Sequence, residues 1–293
     1  MVVYFLLCLY NTLIMSFEEY IFWSRNWSSA WAVACFIALG VFTIWFRPGW
    51  RRFFTMLAAI LGIYVVFGSP LNHLLEFGLH SMAMIQHVVI IMLVPLLLWI
   101  AFKGEYIPKQ SEVAVKRNFV LLAWFAGTSS MWIAHFLSAA KISAETGLVI
   151  CGISASSSSF AVQIPNSLLL GVVLIAGIFF LTPVFSRNPK HQIRPLSAVI
   201  YLFTACVSCS LLGLWVAFSA GASQAVHAAP LLTTIRNPIP MTLVQDQELA
   251  GMIMWVPGCV MYVATSVYIA LTWLEETKHE KIISEKEVIQ NRK

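Results

Sequence analysis

Seven apolar runs separated by polar connections leave few folds open to this chain. They lie near Trp27–Phe46, Phe53–Gly68, Ser81–Phe102, Asn118–Leu137, Pro165–Ser186, Leu196–Ser219 and Ala250–Trp273. Most approach the roughly 20 apolar residues needed to cross about 30 Å of hydrocarbon, and the second, shorter run is expected to draw on its flanks. In lipid a backbone must satisfy its own hydrogen bonds, so runs of this length read as helices. Only 11% of residues are charged, against about 25% in soluble domains. Such a chain has too little polar surface to cover a globule in water. The expected fold is all-α, a polytopic membrane bundle of seven transmembrane helices.

The basic residues orient that bundle. Fifteen of the eighteen Lys and Arg residues follow the first, third, fifth and seventh runs, and only Arg25, Lys141 and Arg236 fall on the other side. The positive-inside rule places the rich side in the cytoplasm, so the N-terminus is expected outside and the C-terminus inside. The net charge of +5 therefore reads as an orienting signal facing the lipid bilayer, and no nucleic-acid partner is expected. Residues 27–273 form the expected seven-helix transmembrane domain, 1–26 an interfacial or extracytoplasmic N-terminal segment, and 274–293 a charged cytoplasmic tail. Val2–Met15 is apolar but short, and it lacks the basic start of a signal peptide. An eighth span there would move the N-terminus to the cytoplasm. The longest connections, Ser138–Ile164 and Ala220–Leu249, lie on the outer side, where lids and partner contacts concentrate.

Five of the seven histidines, His73, His80, His87, His135 and His227, fall on that outer side. His80, Met84 and His87 have i, i+4, i+7 spacing and share one helical face. His80 and His87 are about 10.5 Å apart along the axis, too far to share one ion. Met84 can join either, and a further ligand must come from another helix. His135, at the outer end of the fourth run, is level with the top of the third. Met82, Met252 and Met254 lie at similar depth, and Asp246 and Glu248 stand at the entrance to the seventh run, placed to attract a cation. Imidazole with thioether is a soft donor set suited to Cu(I). The candidate metal residues are therefore His80, Met84, His87, His135, Asp246, Met252 and Met254. A plainer reading stands beside each. Met252 and Met254 are common gap fillers, and His135 is also suited to an interfacial hydrogen bond. His87 is costly inside a bilayer without a partner.

The six cysteines form no disulfide framework. Cys206 and Cys209, a C-x-x-C within the sixth run, share a helix face and suit either a metal or redox pair or simple apolar packing. No Lys lies in the seventh run to carry a retinal Schiff base, no acidic ladder crosses the spans, and no nucleotide motif or Ser/His/Asp set is present. Enzymatic turnover is not expected.

The run Asp246-Gln247-Glu248-Leu249-Ala250-Gly251-Met252-Ile253-Met254-Trp255-Val256-Pro257-Gly258 resembles the D-Q-x-x-(G/A)-G-x-I-M-W-V-x-G signature of the CtaG family of cytochrome c oxidase (caa-type) assembly factors. Ser69-Pro70-Leu71, Met84-Ile85-Gln86-His87 and Trp132-Ile133-Ala134-His135 are similar to further family segments. The likeness covers roughly Ser69 to Trp273. It departs where the family's H-M-x-Q-H pattern begins, at Ala83, and near the fifth run, where Gln163-Ile164-Pro165-Asn166-Ser167 stands in place of histidines. The chain is thus similar to a divergent member, with His80 one turn earlier as a substitute donor. The resemblance implies an integral factor in a prokaryotic plasma membrane that helps assemble a haem–copper oxidase. Its partners would be cytochrome c oxidase subunits. It would take Cu(I) at an outer site, held by His87 with Met84 or His135, and pass it on by ligand exchange. Two other readings remain open: a scaffold without metal, and a b-type haem protein with His87 and His135 as axial ligands.

Overall fold

The computed structural model describes residues 27–70, 79–103, 116–146, 149–156, 158, 160–186, 192–224 and 242–291. Among them are seven helices long and apolar enough to cross a membrane. They are α1 (Ser29–Phe46), α2 (Trp50–Gly68), α3 (three continuous pieces, His80–Val88, Val89–Leu93 and Val94–Lys103), α4 (Arg117–Thr146), α5 (Asn166–Phe185), α6 (Pro195–Gln224) and α7 (Leu243–Asn291). One further helical turn, Phe160–Gln163, precedes α5. The described residues contain no strand, only an isolated bridge between Ile150 and Ile153. The segments 1–26 and 225–241 lie outside the described residues, so the expectation of an interfacial N-terminal segment falls there.

Local chemistry sets where the helices begin and end. The Ser28 hydroxyl accepts from the Trp31 amide at 3.4 Å and starts α1, as an N-cap serine should. Arg47 closes α1 in the left-handed region, with φ 39°, and Pro48-Gly49 turns the chain into α2. The second helix begins at Trp50 rather than Phe53, so it includes Arg51 and Arg52. The Arg52 guanidinium donates to the Ala101 and Phe102 carbonyls, both at 2.8 Å. These are among the last carbonyls of α3, which no helical amide can reach. Part of the basic cluster that follows α1 therefore caps a neighbouring helix.

Inside α3, Val89–Leu93 widens into a π-helical turn. Pro95 follows one residue later; its ring crowds the preceding turn, and its missing N–H leaves a carbonyl there without a donor. Two helices run beyond their expected limits. α4 continues past Leu137 to Thr146 because Ser138, Ala139, Ile142 and Ser143 keep a small and apolar face buried. Lys141, on this added length, donates its ammonium to the Ile164 carbonyl. α7 begins at Leu243 rather than Ala250 and continues unbroken through the charged tail to Asn291, a stretch rich in good helix formers.

α6 and α7 form the most extensive helix pair. A Cβ on Gly251 would come within 2.6 Å of the Gly213 carbonyl oxygen and 2.8 Å of Ala217. These small residues let the two backbones touch, as at many membrane helix contacts. One buried cluster gathers Met84, Ile90, Met131, Leu212, Val216 and Met254 from α3, α4, α6 and α7. A second gathers Phe180, Val184, Tyr201, Leu202 and Ile269 from α5, α6 and α7. Outward faces remain apolar, with Phe36, Ile44, Trp45, Val260 and Leu271 all exposed, as suits helices facing lipid.

Candidate metal centre

The site is assembled from the start of α7. The Thr242 hydroxyl accepts from the Gln245 amide at 3.2 Å, and the Gln245 side chain accepts from the Thr242 amide at 3.0 Å. This is a reciprocal capping box, and it fixes how the first turn enters the bundle. The next two residues, Asp246 and Gln247, both point into the interior, 3% and 0% exposed.

Asp246 then holds the start of α3. That helix has no capping side chain of its own, since Leu79 occupies its N-cap. The Asp246 carboxylate accepts from the His80 amide at 2.6 Å, the Ser81 amide at 3.2 Å and the Ser81 hydroxyl at 2.5 Å. A buried helix start offers orphan amides and a partial positive charge, and a carboxylate answers both. The consequence is positional: His80 is fixed at the first turn of α3 by a residue 166 positions away.

The His80 ring lies against His135 of α4, with centroids 5.1 Å apart and planes at 69°. Cys151 completes the group. Its Sγ lies 3.8 Å from His80 Nε2, about the separation of two ligands on one ion with bonds of roughly 2.0–2.3 Å. One ligand atom from each of His80, His135 and Cys151 falls within 4.8 Å of the others, and all three residues are buried.

A tight turn delivers the thiol. Ile150 and Ile153 exchange amide–carbonyl bonds of 3.0 and 2.8 Å, and the residues between them, Cys151 and Gly152, have φ of 52° and 78°. This is a two-residue hairpin whose central positions both require left-handed backbone. Glycine accepts that freely, whereas cysteine does so at about 1–2 kcal/mol. Burial pushes the Cys151 thiol up to about 11, a Ser219 hydrogen bond opposes that rise, and the Asp246 carboxylate adds to it. The Gln247 amide lies over the same sulfur at 4.0 Å.

His87 sits beside this group. Its Nε2 meets the Ser138 hydroxyl at 3.5 Å, and Ser138 is one turn from His135 on α4. The neighbouring Gln86 ties three helices, donating to the Val66 carbonyl at 3.3 Å and accepting from Asn166 at 3.4 Å. Asn166 belongs to the segment that replaces the expected histidines.

Several buried polar atoms at this pole have no partner among the described residues: His80 Nδ1, His87 Nδ1, both ring nitrogens of His135, and Gln247 Oε1. Buried polar groups are nearly always paired, and each orphan costs free energy. His135 is fully buried, so a ring with neither nitrogen bonded, facing an imidazole and a thiol, is a donor set suited to a cation.

The residues expected from sequence divide accordingly. His80 and His135 are brought together, with His87 adjacent through Ser138. Met84 and Met254 are packed in the apolar core. Met252 faces outward, 50% exposed. Asp246 has both oxygens engaged at the start of α3. His73 and His227 lie outside the described residues. Cys151 was not among the expected donors, because a single cysteine in a long connection has no periodicity to mark it. The readable signal was Ile150-Cys151-Gly152-Ile153, two apolar residues around a two-residue turn ending in glycine.

The sequence model of one family, described as cytochrome c oxidase caa3 assembly factor (Caa3_CtaG), matches residues 21–276. No curated protein and no solved structure matches the chain.

Proposed function

The chain belongs to the family of cytochrome c oxidase caa3 assembly factors, and from that premise we propose that it handles copper for a haem–copper oxidase at the His80–His135–Cys151 group. One observation carries the reading: both nitrogens of the buried His135 ring lack a partner among the described residues while the ring faces His80 and lies near Cys151. Two imidazoles and a thiol are soft enough for Cu(I). Copper is here the cargo. Asp246 acts by positioning, holding His80 at the start of α3. His87, reached through Ser138, offers a further imidazole next to the first group.

The concentration of Lys and Arg on the opposite side supports reading this pole as the outer face, and the family supports reading the membrane as a prokaryotic plasma membrane. An ion held there passes to an oxidase subunit by ligand exchange, in which each incoming donor replaces one of the three. The buried setting favours a cargo shed of its water, and it protects a reduced ion on the way.

The test is a Cu(I) titration of detergent-purified protein against a chromophoric Cu(I) chelator, with an optical spectrum of the same sample. Wild type is expected to hold Cu(I) at this centre. His135→Ala and Cys151→Ala each should weaken it by about 100-fold or more, at or beyond the upper end of what supporting groups contribute. Equal affinity in all three proteins would overturn the proposal. A Soret band in wild type that His87→Ala and His135→Ala abolish would replace it with haem binding.

A further inference from the structure

Away from the histidine centre, two thiols meet at the half-buried seam between α6 and α7, with a third thiol and a thioether gathered around the neighbouring Gly258. Cys206 of α6 donates through its Sγ to the Cys259 Sγ of α7, 3.2 Å away. The Ser210 hydroxyl lies 3.1 Å from the same Cys259 sulfur and bonds the Cys206 carbonyl at 2.9 Å. Cys209, one turn from Cys206, is fully buried, and its thiol donates to the Met254 carbonyl at 3.3 Å. Gly258, next to Cys259, leaves the room these atoms need. A Cβ there would come within 2.7 Å of Cys209 Sγ and 3.4 Å of Met92 Sδ.

The cluster is separate from the histidine centre. Cys259 follows Asp246 by thirteen residues along one helix, roughly 20 Å of rise. Met92 follows His80 by twelve along α3, roughly 18 Å. Both paths run the same way through the bundle, so the sulfurs lie deep between its two ends. No charged side chain occurs in α7 between Glu248 and Glu275, or in α6 beyond Pro195.

We propose that Cys206 and Cys259, with the Ser210 hydroxyl, form a second site for a soft monovalent metal ion at the seam of α6 and α7. Thiolate and thioether donors select such ions over harder ones. Charge also restricts the occupant. When one thiol gives up its proton to bulk water and a monovalent cation binds the resulting thiolate, the site stays neutral, the remaining thiol and hydroxyl serving as neutral donors. A divalent ion there would leave uncompensated charge in hydrocarbon, which is costly. The inference rests on reading the chain as a carrier of Cu(I) and deepens it: the ion has a second stop, of sulfur, below the histidine pole.

Anaerobic titration with Cu(I) alone, against a chromophoric chelator, tests it. Wild type is expected to bind two equivalents. The His80→Ala/His135→Ala/Cys151→Ala variant should keep one, with sulfur neighbours in its X-ray absorption spectrum. Cys206→Ser/Cys259→Ser should lose that one and keep the ion at the histidine centre. A triple variant that binds nothing, or binds with only nitrogen and oxygen neighbours, would overturn the second site. Loss of the histidine-centre ion alone leaves the sulfur site standing, so the two proposals fail separately. Where the double serine variant does not fold, alkylation of the wild-type protein replaces it. Ag(I) should protect Cys206 and Cys259 from alkylation, and equal labelling with and without Ag(I), or a Cys206–Cys259 disulfide in the anaerobic protein, would overturn the site.

Discussion

Around Phe180, Tyr201 and Leu202, the chain packs apolar side chains from α5, α6 and α7. Two polar groups that enter this region find partners there: the Tyr201 hydroxyl donates to the Phe180 carbonyl at 2.9 Å, and Trp99 Nε1 donates to the Ile178 carbonyl at 3.1 Å. Where α3 begins, the same protein buries three imidazoles, a thiol, a carboxylate and an amide, and leaves five of their atoms without a partner among the described residues. One region is built to hold the bundle together. The other tolerates unpaired donors and a left-handed cysteine that packing alone would not select. Local departures of this kind cluster where a protein binds or reacts.

The sharpest way to break the contrast is Asp246→Ala. It leaves two amides and a hydroxyl at the start of α3 without their acceptor. The expected loss is about 3 kcal/mol or more, read as lower thermal stability in detergent together with loss of Cu(I) binding. Asp246→Asn, which keeps an acceptor, should fall between the variant and wild type. If Asp246→Ala unfolds no earlier than wild type, the carboxylate is not what anchors α3.

Next comes the close contact of α6 and α7, on which both regions depend. Gly251→Val places branched carbon against the Gly213 backbone and Ala217. Overpacking of this kind costs about 1–3 kcal/mol, measured as a lower unfolding midpoint at every metal concentration. A metal-dependent effect would instead assign Gly251 to the centre.

Cys151→Gly separates the two designs within one residue. Glycine suits φ 52°, so the metal-free protein should gain about 1 kcal/mol of stability while losing Cu(I) at the centre. His135→Leu should act in the same direction, removing two unpaired nitrogens for a gain of about 1 kcal/mol. Thermal melts with and without Cu(I) read both. Stability that drops in the metal-free form would show that the turn or the ring is structural.

The smallest expected effect belongs to Met252→Leu. Met252 is half exposed on the outer face of α7, so neither stability nor Cu(I) affinity should move beyond about 0.5 kcal/mol. A clear loss of affinity would put its thioether in the metal path.

The seven spans were legible because a helix in lipid needs only a long apolar run, a local property of consecutive residues. The limits were less so. α4 exceeds its apolar run because small residues are buried against neighbours and the half-buried Lys141 bonds the Ile164 carbonyl, and the early start of α7 turns on the Thr242–Gln245 box. The histidines of the site were visible as residue types, and His80, Met84 and His87 do share the spacing of one helical face. Rotation and tilt decide the rest. His80 meets His135, His87 meets Ser138, and Met84 and Met254 turn to the apolar core. None of these choices is written in spacing along one helix.

What the sequence determined by itself is the count of spans, the concentration of basic residues on alternate loops, and the motif that opens α7. Each is local, set by solvent or by a few neighbouring residues. What only the tertiary structure decided is the donor set. Cys151 reaches His80 across 71 positions and Asp246 reaches it across 166. Contacts that distant depend on how the helices dock, because the free energy that fixes them comes from shared packing and from satisfying buried amides between helices.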